Sequence, residues 1–115
     1  MEGVVREGAA ILRFKTQKVS EVCDQVRLLK VGTYNNIPIV NCPYIFASDA
    51  GDELLVRFPD APFAGYYFDR GDSFRQWGLR SRKDFDCSVV AKSFGGGGHA
   101  QASGFQQIVT GELLP

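Results

Sequence analysis

Apolar and polar positions recur along this chain with two different periods, and the changes of period mark its elements. Val5, Ala9 and Leu12, then Val19, Val22, Cys23 and Val26, keep the spacing of a helix face, with a gap in the apolar pattern over Arg13 to Lys18. That pattern predicts one long helix or two. Arg27 to Gly32 and Ile37 to Asn41 read as strands around a turn at Thr33 to Asn36, where asparagine favours a tight reversal. Ser48 or Asp49 opens a second helix that carries Leu54, Leu55 and Phe58 and is closed by Pro59. Phe63 to Phe68 is rich in β-prone residues, and after a turn at Arg70, Gly71 and Asp72 the segment Phe74 to Ser81 returns as its partner.

Cys87, Val90, Ala91 and Phe94 recur at i, i+3, i+4, i+7 and define a third helix over Asp86 to Phe94. Asp86 is placed as its N-cap, Phe85 and Val90 as a hydrophobic staple, and Gly95 as a left-handed C-cap. Gly104 to Val109 supplies a last strand. Hairpins mixed with helices of this length predict an α/β fold: a mixed β-sheet of about five strands flanked by helices, rather than a doubly wound parallel sheet.

Between the third helix and the last strand stand Gly95, Gly96, Gly97, Gly98 and His99, the histidine being the only one in the chain. Glycine lacks a Cβ, so such a segment reaches positive φ and presents bare N–H groups, for which phosphate is the natural ligand. A flexible linker would be flanked by patternless polar sequence, which this run is not. With Gly95 assigned to the helix cap, three glycines remain for a ligand loop or a tight structural turn. The run is no P-loop, since His99 and Ala100 stand where lysine and a hydroxyl residue would be needed.

Strand side chains alternate, so Arg75, Trp77 and Leu79 share one face of their strand while Gln76, Gly78 and Arg80 share the other. The second face is either an ordinary solvated surface or a polar floor for an anion, clamped between Arg80 and the amides of Gly96 to Gly98. His99 has three open roles: hydrogen bonding to phosphate, donating a proton near a leaving group, or capping the loop through a carbonyl.

Composition narrows the class. The chain has 115 residues, 44% hydrophobic and 23% charged, which suits one ordinary globular domain. Thirteen basic residues balance thirteen acidic ones, so no global field draws it to nucleic acid or membrane. The stretch from Arg75 to His99 is locally basic, with Arg75, Arg80, Arg82, Lys83 and Lys92 against Asp84 and Asp86. Cys23, Cys42 and Cys87 are odd in number and far apart, which predicts buried free thiols rather than a disulfide framework or a zinc site. No long apolar run or secretory signal is present, and a cytoplasmic location is expected. Arg70, Gly71 and Asp72 spell an adhesion-like tripeptide, but a hairpin turn explains them.

Three passages together resemble a known family. They are Gly78-Leu79-Arg80-Ser81, then Asp86 to Ala91, then Gly95 through Phe105, and they are similar to the DHH-associated domain at the C-terminal end of DHH phosphoesterases. Weaker similarity reaches back to Asn41, Ser48 and Asp60 to Tyr67, so the resemblance spans most of residues 27–110. Glycine at Gly78 replaces the family's usual serine, and Ser103 replaces its second alanine.

The resemblance implies a division of labour. In RecJ-like exonucleases, oligoribonucleases, exopolyphosphatase-related proteins and their kin, an N-terminal domain holds manganese and the C-terminal domain grips the substrate. Carried over by motif, Arg80, Ser81, Gly96, Gly97, Gly98 and His99 would bind substrate. No catalytic or metal-binding residue is assigned in this chain, and no cofactor is expected in it; manganese is expected in a separate catalytic domain. Residues 1–26 are then a helical connector toward that domain, and residues 27–115 the substrate-binding domain. The chain is not expected to be active alone. Its expected partners are a short oligonucleotide or nucleotide, the DHH catalytic domain in cis, and a second copy in a homodimer; no membrane is expected. The alternative is a tRNA-binding or self-association module of the kind found at the C-terminus of alanyl-tRNA synthetases.

Overall fold

A computed structural model describes the backbone of residues 2–109 and the side chains of residues 6–109. Val5, as part of the first helix face, and residues 110–115 of the second predicted segment therefore lie outside the described side chains, as does Met1. The elements are α1 (Glu2–Cys23), β1 (Arg27–Val31), β2 (Tyr34–Asn41), a 3-10 turn (Tyr44–Phe46), α2 (Ala47–Arg57), β3 (Phe63–Asp69), β4 (Phe74–Ser81), α3 (Cys87–Ser93), β5 (Gly97–His99) and β6 (Ala102–Ile108). The strands form one sheet in the order β1-β2-β3-β4-β6-β5, parallel only between β2 and β3, where α2 makes the crossover. The predicted mixed sheet is present, with six strands where about five were expected.

The first helix is a single one. Its gap in apolar pattern is where it leaves the core: Val19 and Cys23 are buried, whereas Ile11, Leu12 and Phe14 are exposed. Polar contacts carry it through the gap, with Lys15 Nζ 2.9 Å from Asp49 and Gln17 and Lys18 both reaching Glu21.

Two local expectations shift. The first hairpin turns at Gly32 and Thr33, with Gly32 at φ +60, and β2 starts at Tyr34. Asn36, at φ +55, sits inside the strand opposite a register shift between Leu29 and Val31, so its tolerance of left-handed backbone serves a bulge rather than the turn. The second helix begins at Ala47, continuous with the 3-10 turn; Phe46 holds the N-cap position without a side-chain bond, and neither Ser48 nor Asp49 caps it.

Cores lie on both faces of the sheet. On one side α3 covers Ile37, Ile39, Phe63, Leu79 and Phe105; on the other α1 and α2 cover Val40, Cys42 and Ala64. Adjacent residues Ile39 and Val40 thus enter opposite cores, and β2 is buried on both faces. Cys23, Cys42 and Cys87 are buried free thiols, as expected. Burial pushes the Cys23 and Cys42 thiols up to about 11, so both are neutral at ordinary pH. Among the described residues no helix is long and apolar enough to cross a membrane.

Candidate functional site

The glycine segment is assembled from its first residue upward by the end of α3. Asp86 accepts from the Ser88 hydroxyl and from the Ser88 N–H (2.9 Å), which together hold its carboxyl below the usual carboxylate range, and the N–H bond starts the helix. At the other end Gly95, at φ +86, donates to Lys92 O (3.0 Å) and Gly96 donates to Ala91 O (2.8 Å), the paired bonds of a Schellman cap. The cap therefore uses two glycines where the sequence assigned it one. The Gly96 N–H is already satisfied by α3 and is not free to bind a ligand.

Gly97, Gly98 and His99 form β5, a short edge strand against β6 rather than a loop. Its backbone groups facing away from β6 have no strand beside them. Gly98 has φ +140, and a Cβ there would lie 2.7 Å from Ser103 Cα. Ser81 is also internal. Its hydroxyl lies 3.0 Å from Ala100 O and 2.6 Å from Phe85 O, and its N–H donates to Gln101 O at 3.1 Å, so it pins the β5–β6 turn beneath the sheet.

Register brings the remaining pieces together. Arg80 pairs with Ala102 and Ala102 pairs with His99, so Arg80 and His99 share a face two strand spacings, roughly 9 to 10 Å, apart. Gly78, Gly104 and Gly97 make the next row on that face, and Gln76 and Gln106 lie beyond. This is the α2 side of the sheet. The helix packs on β3 and β4 and stops there, leaving β6 and β5 uncovered. The face that strand alternation gives to Gln76, Gly78 and Arg80 is thus continued by Gly97 and His99.

A cleft of about 750 Å³ opens along this floor, with Gln76, Gly78 and Gly104 below and Tyr44, Ser48 and Tyr66 at the wall. Tyr66 occupies the space above Gly78, where an added Cβ would fall 2.1 Å from its ring. Burial raises the Tyr66 phenol above its ordinary value, opposed by nearby Arg80 and a hydrogen bond with Ser48. Glycine stands at this position because the Tyr66 ring fills the space a side chain would need. Gly78→Ser is accordingly expected to destabilise by about 1 to 3 kcal/mol. Adding Tyr66→Ala should recover much of that loss in a double-mutant cycle read by denaturant unfolding.

The local basicity of the sequence does not gather at this cleft. Arg82 caps the end of α2, donating from Nε to Ala61 O (3.2 Å) and from Nη2 to Leu55 O and Phe58 O. Arg75 pairs with Asp69 at 2.7 Å across the hairpin and lies over the Tyr67 ring. Lys83 and Lys92 are exposed. Arg70 and Asp72 pair within their turn, whose tripeptide is thereby accounted for. Arg80 stands on the same face but outside the residues that line the cleft, which Arg70 does line, and its Nε and Nη2 face the two oxygens of Asp52 at 3.2 and 3.4 Å. Gly51 permits this approach, since a Cβ there would lie 2.6 Å from Arg80 Cγ. The sequence reading missed Asp52, whose signal was only its position one turn past Ser48 on α2.

No family model matches the chain. It is 35% identical over 104 residues to an uncharacterized protein, R106, of Acanthamoeba polyphaga mimivirus, a match covering 84% of this chain and 24% of that protein. The chain thus spans about a quarter of the length of the curated relative it matches. Among solved structures it is similar to the pGpG-specific phosphodiesterase PggH of Vibrio cholerae, with a TM-score of 0.63 at 12% identity, covering 91% of this chain and 37% of that one. It is similar also to an exopolyphosphatase-related protein of Bacteroides fragilis, with a TM-score of 0.58 at 19% identity, covering 84% of this chain and 30% of that one. At these identities the likeness is one of fold, and function has to be argued from the site.

Proposed function

We propose that this chain is the substrate-recognition domain of a DHH-family phosphoesterase, binding a phosphate of short oligonucleotides or nucleotide phosphates on the bare side of its sheet. The observation that carries the reading is the row Arg80, Ala102, His99, which sets a guanidinium and an imidazole on one face beside a glycine floor. Arg80 is the principal anchor, because a guanidinium fork matches two phosphate oxygens. His99 and the outward backbone of β5 complete the grip, while Ser81 and Gly96 hold these groups in place. The motif resemblance supports the reading, as do the phosphodiesterase and exopolyphosphatase-related proteins that share the fold.

The described residues contain no group of three or more His, Cys, Asp or Glu side chains able to hold a metal ion. They do not fit the manganese that the resemblance implies, so no step of hydrolysis is assigned to them. Bond cleavage in this reading belongs to a separate metal-bearing domain, and substrate held by this chain alone binds weakly. The test is a titration of isotope-labelled protein with a short oligonucleotide and with adenosine 3′,5′-bisphosphate. The amides of Gly97 and His99 are expected to shift with both; amides that stay still with every phosphorylated ligand would remove the reading.

A further inference from the structure

The opposite face of the sheet holds a second hollow, apart from the cleft along Gln76 and Gly78. On that face α3 packs over β6, β5 and β4 and ends at Ser93, so the rings beyond it keep a bare edge. Phe94, Phe105 and Trp77 form a stack there, with successive centroids 4.7 and 5.8 Å apart and ring planes 18° and 8° from parallel. Phe94 is 43% exposed and Trp77 is half-buried, which leaves aromatic surface open to solvent. Lys30, Val31 and Gly32, at the end of β1, complete the wall of a hollow of about 320 Å³. Ligand pockets start at about 300 Å³, so this one admits a single ring system rather than a helix or a folded chain.

Few polar groups reach it. Among the described residues that line the hollow Lys30 is the only charged one, and it is exposed. Trp77 Nε1 donates to Gln107 Oε1 at 2.9 Å, so the acceptor of that amide is occupied and its NH2 group is the end left for a ligand. Arg75, opposite Gln107 on the ladder, is held by Asp69. A cation and an amide donor beside apolar rings match a compound with one anionic group and an aromatic body.

We propose that this hollow binds a small aromatic carboxylate, its ring against Phe94 and Trp77 and its carboxylate at Lys30 and the Gln107 amide. Strand alternation puts Trp77 and Arg80 on opposite faces of β4, so the site uses none of the groups in the phosphate-binding reading and stands or falls apart from it. Lys30 selects the sign of the ligand's charge. The ring stack selects its shape, because an alkyl chain forfeits the stacking contact.

Trp77 is the only tryptophan in the chain, so its one indole N–H signal reports on the hollow directly. Isotope-labelled protein is titrated with 3-phenylpropionate, with its uncharged amide and with hexanoate. The indole signal is expected to shift and saturate with 3-phenylpropionate. The amide should bind about three- to fivefold more weakly, the scale of an exposed charge pair, and that gap should close in Lys30→Gln. Hexanoate should bind about two- to tenfold more weakly than 3-phenylpropionate. Phe94→Leu, which keeps an apolar side chain against Phe105, should bring the two acids level. The proposal is overturned by an indole signal that no probe moves, by acid and amide binding wild-type protein equally, by a gap between them that survives Lys30→Gln, or by hexanoate matching 3-phenylpropionate. An indole signal that moves with protein concentration alone also overturns it, since a second copy of the chain then fills the hollow.

Discussion

Gly96→Ala is expected to destabilise the fold by about 3 kcal/mol, lowering Tm by roughly 10 °C or more, while Gly97→Ala next to it is close to neutral. A Cβ on Gly96 would lie 2.0 Å from Gly104 O, 2.6 Å from Phe105 Cβ and 2.8 Å from Phe105 Cα. Two of those three atoms are backbone, in a strand paired on both sides, so no side-chain rotation relieves the clash. Phe105 is itself clamped, stacked between Phe94 at 4.7 Å and Trp77 at 5.8 Å. A Cβ on Gly97 meets nothing within 4 Å, and alanine there restricts the unfolded chain more than glycine does. Thermal and denaturant unfolding of the two variants decides the matter. Equal losses would mean that α3 does not press on β6 in this way.

Arg80→Ala is expected to weaken binding of phosphorylated ligands by about 10- to 100-fold with little change in stability. A charge-assisted bond to the ligand is worth about 1.5 to 3 kcal/mol, whereas the Arg80–Asp52 pair it replaces is exposed and contributes roughly 0 to 1 kcal/mol. Arg82→Ala should behave oppositely, because its guanidinium satisfies three backbone carbonyls at the end of α2 and faces no ligand. Calorimetric titration with AMP beside unfolding curves for both variants separates the roles. A binding loss on Arg82→Ala that equals the loss on Arg80→Ala would place Arg82 in the site as well.

This contrast shows how far the sequence carries. Arg75, Arg80, Arg82 and Lys83 look alike as a basic run, and alternation correctly put Arg75 with Trp77 and Leu79 and placed Arg80 with Gln76 and Gly78. What alternation cannot give is the partner across the fold. Arg82 finds carbonyls 21 to 27 residues away, and Arg80 finds a carboxylate 28 residues away. Nothing near either arginine in sequence announces these partners, because the α2 crossover is what sets them beside β4.

Local physics made the α3 unit readable. Asp86 caps through a bond two residues on, and Gly95 closes the helix through bonds reaching only three residues back; both follow from backbone geometry within one turn. The strand and helix segments were likewise set by periods that neighbouring residues carry themselves. The division of the glycines was not local. Gly96 is required by Gly104 and Phe105, Gly98 by Ser103, and Gly97 by no described atom, and those neighbours exist only once β5 pairs with β6. By itself the sequence determined the elements, the caps and the polar face of β4, since each depends on contacts within a turn or on strict alternation. Only the tertiary structure decided that Arg80 and His99 share that face, that Ser81 and the Gly96 N–H are bonded to carbonyls within the fold, and that α2 leaves the face open, because register and coverage are set by long-range packing.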